Sequence, residues 1–295
     1  MPHAVWRRSP STSCAGWWSW SSRLPGCSTR TGRRRSGPAV HRADPIGPAP
    51  RRSPTGGWSR LSAVYTPSIL QTPLTTVGPI DPSQPTRSVT GDWAFSTGEL
   101  EIGIWECTPG VFGGVTADEN EAMLMVAGRA TVHHDGGEYD LAPGTLWTTP
   151  RAWRSRWEVH QTVRKMYVID HRAGGPGAST HLANAFTAPL PEGTPRPVVI
   201  EGSPVEASTS LWSHDRLDVG VWECTPGVFP FRRDGYQEVF CVLSGRATLE
   251  VAGAEGGTGQ RFELVPGAML LTPSGTTGRW HVHETIRKAY VTITD

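Results

Sequence analysis

Gly103-Ile104-Trp105-Glu106-Cys107-Thr108-Pro109-Gly110-Val111-Phe112 returns 117 residues later as Gly220-Val221-Trp222-Glu223-Cys224-Thr225-Pro226-Gly227-Val228-Phe229. A repeat constrains architecture more tightly than any local signal, so the rest of the chain is aligned on it. At the same offset Glu121 meets Glu238, and Gly128-Arg129-Ala130-Thr131 meets Gly245-Arg246-Ala247-Thr248. Six extra residues in the turn AGAEGGTGQ (252–260) then lengthen the offset, and Pro143-Gly144 meets Pro266-Gly267. The copies close alike, RWEVHQTVRKMYV (156–168) answering RWHVHETIRKAYV (279–291). Each unit is about 85 residues long, well beyond the roughly 20 to 50 residues of stacking repeats, so these are duplicated domains.

Inside each unit the pattern is one of short strands separated by turns, as in EVFCVLSG, ATLEV, RFELVPG, AMLLTPSG and RKAYVTIT. No segment longer than ten residues carries helical periodicity. Short, regularly spaced strands punctuated by Gly and Pro predict an all-β protein of two tandem barrels, residues 89–170 and 205–295. Residues 171–204, with AGGPGAS at their head, read as the linker, and the Pro- and Thr-rich residues 61–88 as an extended arm across the first barrel.

Charge is unevenly spread. Residues 1–60 hold 11 Arg against one acid, Asp44, which makes them +10, while the remaining 235 residues are −9. This opening mixes Arg, Ser, Pro, Gly and isolated Trp with almost no aliphatic residues, a composition that predicts a disordered leader. Arg7-Arg8 lacks the apolar run an export signal needs, which points to a cytoplasmic protein, and a start near Val64 would leave an acidic chain. An Arg and Trp tail suits single-stranded nucleic acid only on a folded platform, which the leader lacks, so nucleic acid is not an expected partner. No apolar run of about 18 residues is present, which argues against a membrane partner. Five scattered cysteines do not form a disulfide framework.

Glu238, six residues and Gly245, then Gly267, five residues and Pro273 followed by Gly275, resemble the two motifs of the cupin superfamily of jelly-roll barrels. Glu121 to Gly128 and Gly144 to Pro150 repeat the pattern. Trp-Glu-Cys-Thr-Pro-Gly and Trp-x-Val-His-x-Thr-x-Arg-Lys-x-Tyr-Val resemble the cupin subfamily containing the (S)-ureidoglycine aminohydrolase cupin domain. The resemblance implies a bicupin and, by subfamily, an aminohydrolase-like enzyme. Metal-binding cupins, in this resemblance, place a His-x-His pair just before the motif Glu and another His after the second-motif Pro. Here those places hold Phe231, Arg232, Arg233 and Asp234, then Gly278; in the first unit they hold Gly114, Val115, Thr116 and Ala117, then Ser155. Neither copy keeps the three imidazoles that suit Mn, Fe, Ni or Zn, so no metal cofactor is expected.

Alternation along a strand puts Trp280, Val282 and Glu284 on one face and His281 and His283 on the other. His281-x-His283 has a metal-compatible spacing, but an inward Trp280 and Val282 turn the pair outward, where Glu158 and His160 are its counterparts. His133-His134 precedes the turn signal Asp135-Gly136-Gly137 and reads as a turn pair. Glu121 and Glu238 head otherwise apolar strands, where a carboxylate needs a partner. Lys165 and Lys288 are the only lysines in the chain, in equivalent strands, with Tyr167 and Tyr290 two residues on. Such a group serves equally as a structural Glu–Lys bridge or as a reactive pair, lysine being readily tuned by burial. Trp105 and Trp222 read as packing, and Trp157 and Trp280 as pocket wall or packing. Cys107, Cys224 and Cys241 read as buried thiols.

The expected site is therefore Glu238 and Lys288 as chemical groups, with Trp280, Tyr290 and Glu284 around them, and Glu121, Lys165, Trp157 and Tyr167 in the first unit. The second unit is preferred because it carries Asp234, Pro273-Ser274-Gly275 and Glu284 where the first has Ala117, Pro150-Arg151-Ala152 and Gln161. Three functions fit: a metal-independent binder of a small polar metabolite such as a carboxylate or ureido compound, a metal-dependent aminohydrolase of nitrogen catabolism, or a silent assembly module. Association of sheet edges makes a homodimer the expected oligomer.

Overall fold

The computed structural model describes residues 63–79, 83–89, 95–96, 99–116, 119–134, 137–171, 180–253 and 259–295. The expected leader, residues 1–60, lies outside them. The first half contributes β1 (Val64–Thr66), β2 (Thr75–Gly78), β3 (Arg87–Val89), β4 (Phe95–Ser96), β5 (Leu100–Cys107), β6 (Gly110–Thr116), β7 (Asn120–His134), β8 (Gly137–Leu141), β9 (Thr145–Thr149) and β10 (Arg154–Asp170). The second contributes β11 (His181–Asn184), β12 (Thr194–Pro195), β13 (Glu201–Gly202), β14 (Val205–His214), β15 (Leu217–Cys224), β16 (Gly227–Arg232), β17 (Tyr236–Val251), β18 (Gln260–Leu264), β19 (Met269–Thr272) and β20 (Thr277–Thr294). No helix occurs among the described residues, as the turn-punctuated pattern predicts.

Barrel 1 is the sheet β11-β9-β7-β10-β5-β3-β2, with β4 on β5, β6 on β10 and β8 on β7. Barrel 2 is β1-β19-β17-β20-β15-β14-β12, with β16 on β20, β13 on β16 and β18 on β17. EVFCVLSG and ATLEV, read from the sequence as two strands, are one long strand, β17, bent at Gly245. Its ladder with β20 slips between Val242 and Ser244 and again on either side of Arg246. Gly245 has φ 83°, and a Cβ there would stand 2.1 Å from the Thr285 carbonyl oxygen. Gly128 repeats this in β7, with φ 82° and 2.2 Å to the Thr162 carbonyl oxygen. Only glycine fits both the left-handed backbone and the close approach, so the motif glycine lets one strand turn a barrel corner.

The arm and the linker are more ordered than their composition implies. β1 does not lie on the first barrel but pairs with β19 of the second, Val64 opposite Leu271. Conversely β11, in the expected linker, pairs with β9 of the first, His181 opposite Thr148. Each barrel thus receives its edge strand from the segment preceding the other barrel, while β2 and β3 extend barrel 1 through β5. Equivalent arginines hold the crossings: Arg164 donates to the Thr72 carbonyl and pairs with Glu106, and Arg287 donates to the Ala185 carbonyl at 2.9 Å and pairs with Glu223. Edges left open by each barrel are covered by the chain itself, which manages the exposed ladder groups.

Strand alternation sorts the core into three. Leu100, Ile102, Leu124 and Met166 of barrel 1 pack with Val219, Val239, Met269 and Val291 of barrel 2 in one cluster between the barrels. The alternate residues fill the interiors, around Met123, Trp147 and Trp157 in barrel 1 and around Phe240, Trp280 and Ile286 in barrel 2. One face of each sheet therefore welds the pair together, and the opposite face lines a barrel.

Candidate functional site in the second barrel

Glu238 enters barrel 2 from the head of β17, opposite Thr292 of β20. Four pairs further along the same ladder, Val242–Lys288 brings lysine into the same interior. Lys288 Nζ donates to Glu238 Oε1 at 2.5 Å. Arg233, in the turn before β17, donates from Nη2 to the other oxygen, Glu238 Oε2. The same guanidinium donates through Nε to Thr272 Oγ1 at 3.1 Å and through Nη1 to the Tyr236 hydroxyl at 3.2 Å. All three charged residues are buried. Lys288 Nζ lies 4.4 Å from the Phe240 ring centre, 5.0 Å from Trp222 and 5.3 Å from Trp280, a cage that favours a cation by its ring faces.

Burial by itself would raise the Glu238 pKa, but Arg233 and Lys288 together outweigh it and hold the carboxyl below its usual range. Burial pulls the Lys288 pKa down to about 8, against the pull of Glu238 and with the help of neighbouring Arg233. Burial raises that of Tyr290, whose hydroxyl is 3.4 Å from Ser208 Oγ. A further pair borders the group: Glu206 accepts from Trp222 Nε1 at 2.8 Å and pairs with Arg196 at 2.5 Å. Arg196 in turn stacks over Phe229 at 4.3 Å. A cavity of about 650 Å³ opens onto Arg233, Glu238, Lys288, Trp222, Trp280 and Tyr290.

Barrel 1 holds the simpler version. Lys165 Nζ donates to Glu121 Oε1 at 2.6 Å and stands 5.0 Å from Trp105 and 5.4 Å from Trp157. Tyr167 is buried beside them, its pKa raised by burial and by Glu101 and Glu121. Thr116 stands in the sequence where barrel 2 has Arg233, and Trp147 and Trp153 where barrel 2 has Leu270 and Thr276. Both tryptophans are buried and pack edge-on, 5.9 Å apart, taking up the first interior with rings. Trp157 stacks on Phe112 at 5.8 Å, so in this barrel it is packing.

The structure thus brings together Glu238, Lys288, Trp280 and Tyr290, and separately Glu121, Lys165, Trp157 and Tyr167. It does not bring Glu284 to them. That side chain is 63% exposed and paired with Arg246 at 3.1 Å. Glu284 lies opposite the slipped register at Arg246, at the corner of β20, exposed between the buried Val282 and Ile286. Asp234 is likewise exposed and paired with Arg232, so it gives no reason to prefer barrel 2. Trp222, read as packing, lines the cavity. The residue missed outright is Arg233. Its signal was available, an arginine five positions before a barrel glutamate with threonine in the other copy.

His281 and His283 face outward as alternation predicts, His281 beside Glu250 at 3.2 Å and His283 on Thr248 at 2.9 Å. His133 pairs with Glu138 at 3.0 Å, and His134 hydrogen-bonds the Arg154 carbonyl at 2.7 Å. Cys107, Cys224 and Cys241 are buried free thiols. Among the described residues no three His, Cys, Asp or Glu side chains are grouped to hold a metal ion. The metal of cupin sites does not fit this donor set. The motif carboxylate has both oxygens engaged by cations, and a dication placed there would face Arg233 and Lys288 without an imidazole to receive it.

Two antiparallel barrels, each with its motif glutamate inside and its motif glycine at the corner, define a bicupin. The EutQ-like cupin domain, Cupin_3, matches residues 96–167 and 213–290, and the chain belongs to that cupin family. The comparison with curated proteins finds no match. Among solved structures, a protein of unknown function of the DUF861 family from Pseudomonas syringae superposes with a TM-score of 0.63 at 20% identity, covering 78% of this chain and 99% of its own. The putative glyoxylate induced protein from Pseudomonas aeruginosa gives 0.54 at 15% identity, over 81% and 94% of the two chains. A cupin 2 conserved barrel domain protein from Leptotrichia buccalis gives 0.53 at 10%, over 72% and 90%. At these identities the likeness is one of fold. Among the described residues no helix is long and apolar enough to cross a membrane.

Proposed function

We propose that the protein binds a small polar metabolite in the cavity of barrel 2, at the group Arg233–Glu238–Lys288, without a metal cofactor. The observation that supports this most is the coincidence of the cavity with a buried cluster of three charged side chains. Buried ion pairs seldom add net stability over apolar packing, so a charged cluster facing an open cavity is better explained by a ligand. Glu238 and Lys288 are the groups able to accept and donate a proton, with Trp280 and Tyr290 as walls; Glu121 and Lys165 keep the pair in barrel 1, among the packed rings of Trp147, Trp153 and Trp157. The free thiols fit a reducing compartment. Subfamily resemblance leaves aminohydrolase chemistry as the activity to assay on whatever ligand is found.

The test is a thermal-shift screen of polar metabolites on the full chain, with and without a chelator, repeated with Lys288→Met and Lys165→Met. Stabilisation that survives the chelator and is lost only in Lys288→Met supports the reading. Stabilisation that requires added metal, or that persists in Lys288→Met, contradicts it.

A further inference from the structure

We infer that the ligand of barrel 2 is a carboxylate monoanion, received by Arg233 and Lys288 across from Glu238. This rests on the metabolite-binding reading and names its ligand class. Two cations share one carboxylate inside the barrel. Of the other basic groups on the cavity, Arg232 pairs with Asp234 and Arg196 with Glu206, and Arg216 lines it together with Asp215 and Asp218 without contacting the Glu238 carboxylate, which among the described residues only Arg233 and Lys288 contact as cations. One positive charge is left at the inner end, and an uncompensated buried charge is costly until an anion meets it.

Hydrogen-bond capacity is unbalanced in the same direction. Arg233 spends three N–H groups, on Thr272, Tyr236 and Glu238, and Lys288 spends one, on Glu238. A guanidinium has five donors and an ammonium three, so about two remain on each, while both Glu238 oxygens are engaged. A donor-rich, acceptor-poor interior suits a group made only of acceptors, and the planar guanidinium suits a carboxylate. Asp218 lines the same cavity from β15, opposite Thr292, which in turn stands opposite Glu238. Neither Arg233 nor Lys288 donates to Asp218, and its carboxylate disfavours a second one beside it, which makes the ligand a monoanion.

Binding is coupled to a proton. Lys288 faces Glu238 from β17, Arg233 from the preceding turn, Glu206 from β14 and its neighbour Tyr290 on β20. A bound anion adds a negative charge to this set and favours the ammonium, so carboxylate affinity falls as pH rises through about 8.

The probes are hexanoate and benzoate, each with its neutral amide, hexanamide and benzamide, titrated calorimetrically into the full chain at about pH 7 and pH 8.5 in buffers of differing ionisation enthalpy. The expected result is carboxylate binding at least about tenfold tighter than the amide, with proton uptake near pH 8, and loss of that preference in Arg233→Gln but not in Lys165→Gln. Because the proton uptake is read on the native protein, the test stands even if Arg233→Gln fails to fold. Amides binding as well as carboxylates would overturn the inference and leave metabolite binding intact. Carboxylate preference unchanged in folded Arg233→Gln would also overturn it. No binding by any probe overturns it too, and if the metabolite screen is equally silent the broader reading falls with it.

Discussion

Replacing Glu238 by Gln removes the one anion shared by Arg233 and Lys288, and the structure sets the size of the consequence. The carboxylate is 5% exposed and accepts one charge-assisted bond on each oxygen. Removing one partner from a buried ion pair costs about 3 to 5 kcal/mol, because the remaining charge is left uncompensated; here two cations remain. In a folded unit of this size each kcal/mol lowers Tm by about 2 to 4 °C, so Glu238→Gln should melt about 10 °C below the parent. Glu121→Gln is the internal control. It strands one cation, and its side chain is 20% exposed, so water offsets part of the loss and about 1 to 2 kcal/mol is expected. Lysine without its carboxylate also sheds its proton more readily, so the Glu238→Gln deficit should shrink as pH rises from about 7 to about 9. Calorimetry or urea denaturation of the three proteins measures this. Equal losses in the two variants, or a Glu238→Gln deficit that grows with pH, would refute the account of a doubly paired buried carboxylate.

Lys288 has its own pH signature: its folded pKa of about 8 lies below the unfolded value, so above pH 8 the unfolded chain binds more protons and stability from this residue rises with pH. Subtracting Lys288→Met stability from that of the parent between about pH 7.5 and 9 should show that rise, and a falling difference would contradict it. Gly245→Ala forces a left-handed alanine with its Cβ 2.1 Å from a carbonyl oxygen and should cost about 3 kcal/mol or prevent folding, whereas Gly235→Ala, with the same sign of φ and open space, should cost about 1 kcal/mol by urea unfolding. Burial pushes the thiol pKa of Cys107 up to about 11 and of Cys224 and Cys241 up to about 12, so iodoacetamide at pH 8 should label these three far more slowly in native than in unfolded protein, as read by peptide mass spectrometry.

The fold was legible because it rests on repetition and alternation. The repeated Trp-Glu-Cys-Thr-Pro-Gly and the paired motif glycines carry two barrels without any distant information. Likewise the Glu–Lys–Tyr set follows from period-two strands, since Lys288 and Tyr290 are two residues apart on β20. Glu284 failed because it sits at the corner itself: counting by twos from Trp280 reaches the interior again at Ile286, Lys288 and Tyr290, but residues 283–285 bend out to solvent where the ladder slips. Arg233 escaped because it lies in a turn, where no periodicity assigns a direction, and only the folded chain shows it meeting Glu238. The exchange of β1 and β11 between barrels was equally hidden, for Val64–Thr66 names its own strand but not its partner.

The proposed ligand site of barrel 2 is charged and free of metal. Elemental analysis by mass spectrometry, on protein purified without a metal-affinity tag and incubated with Mn and Zn before desalting, tests it most directly. Transition metal far below one per folded chain is expected, in the parent and in Glu238→Gln alike. Near-stoichiometric metal in the parent that is lost in folded Glu238→Gln would contradict it, and would make Glu238 a metal ligand rather than the counter-ion of Arg233 and Lys288.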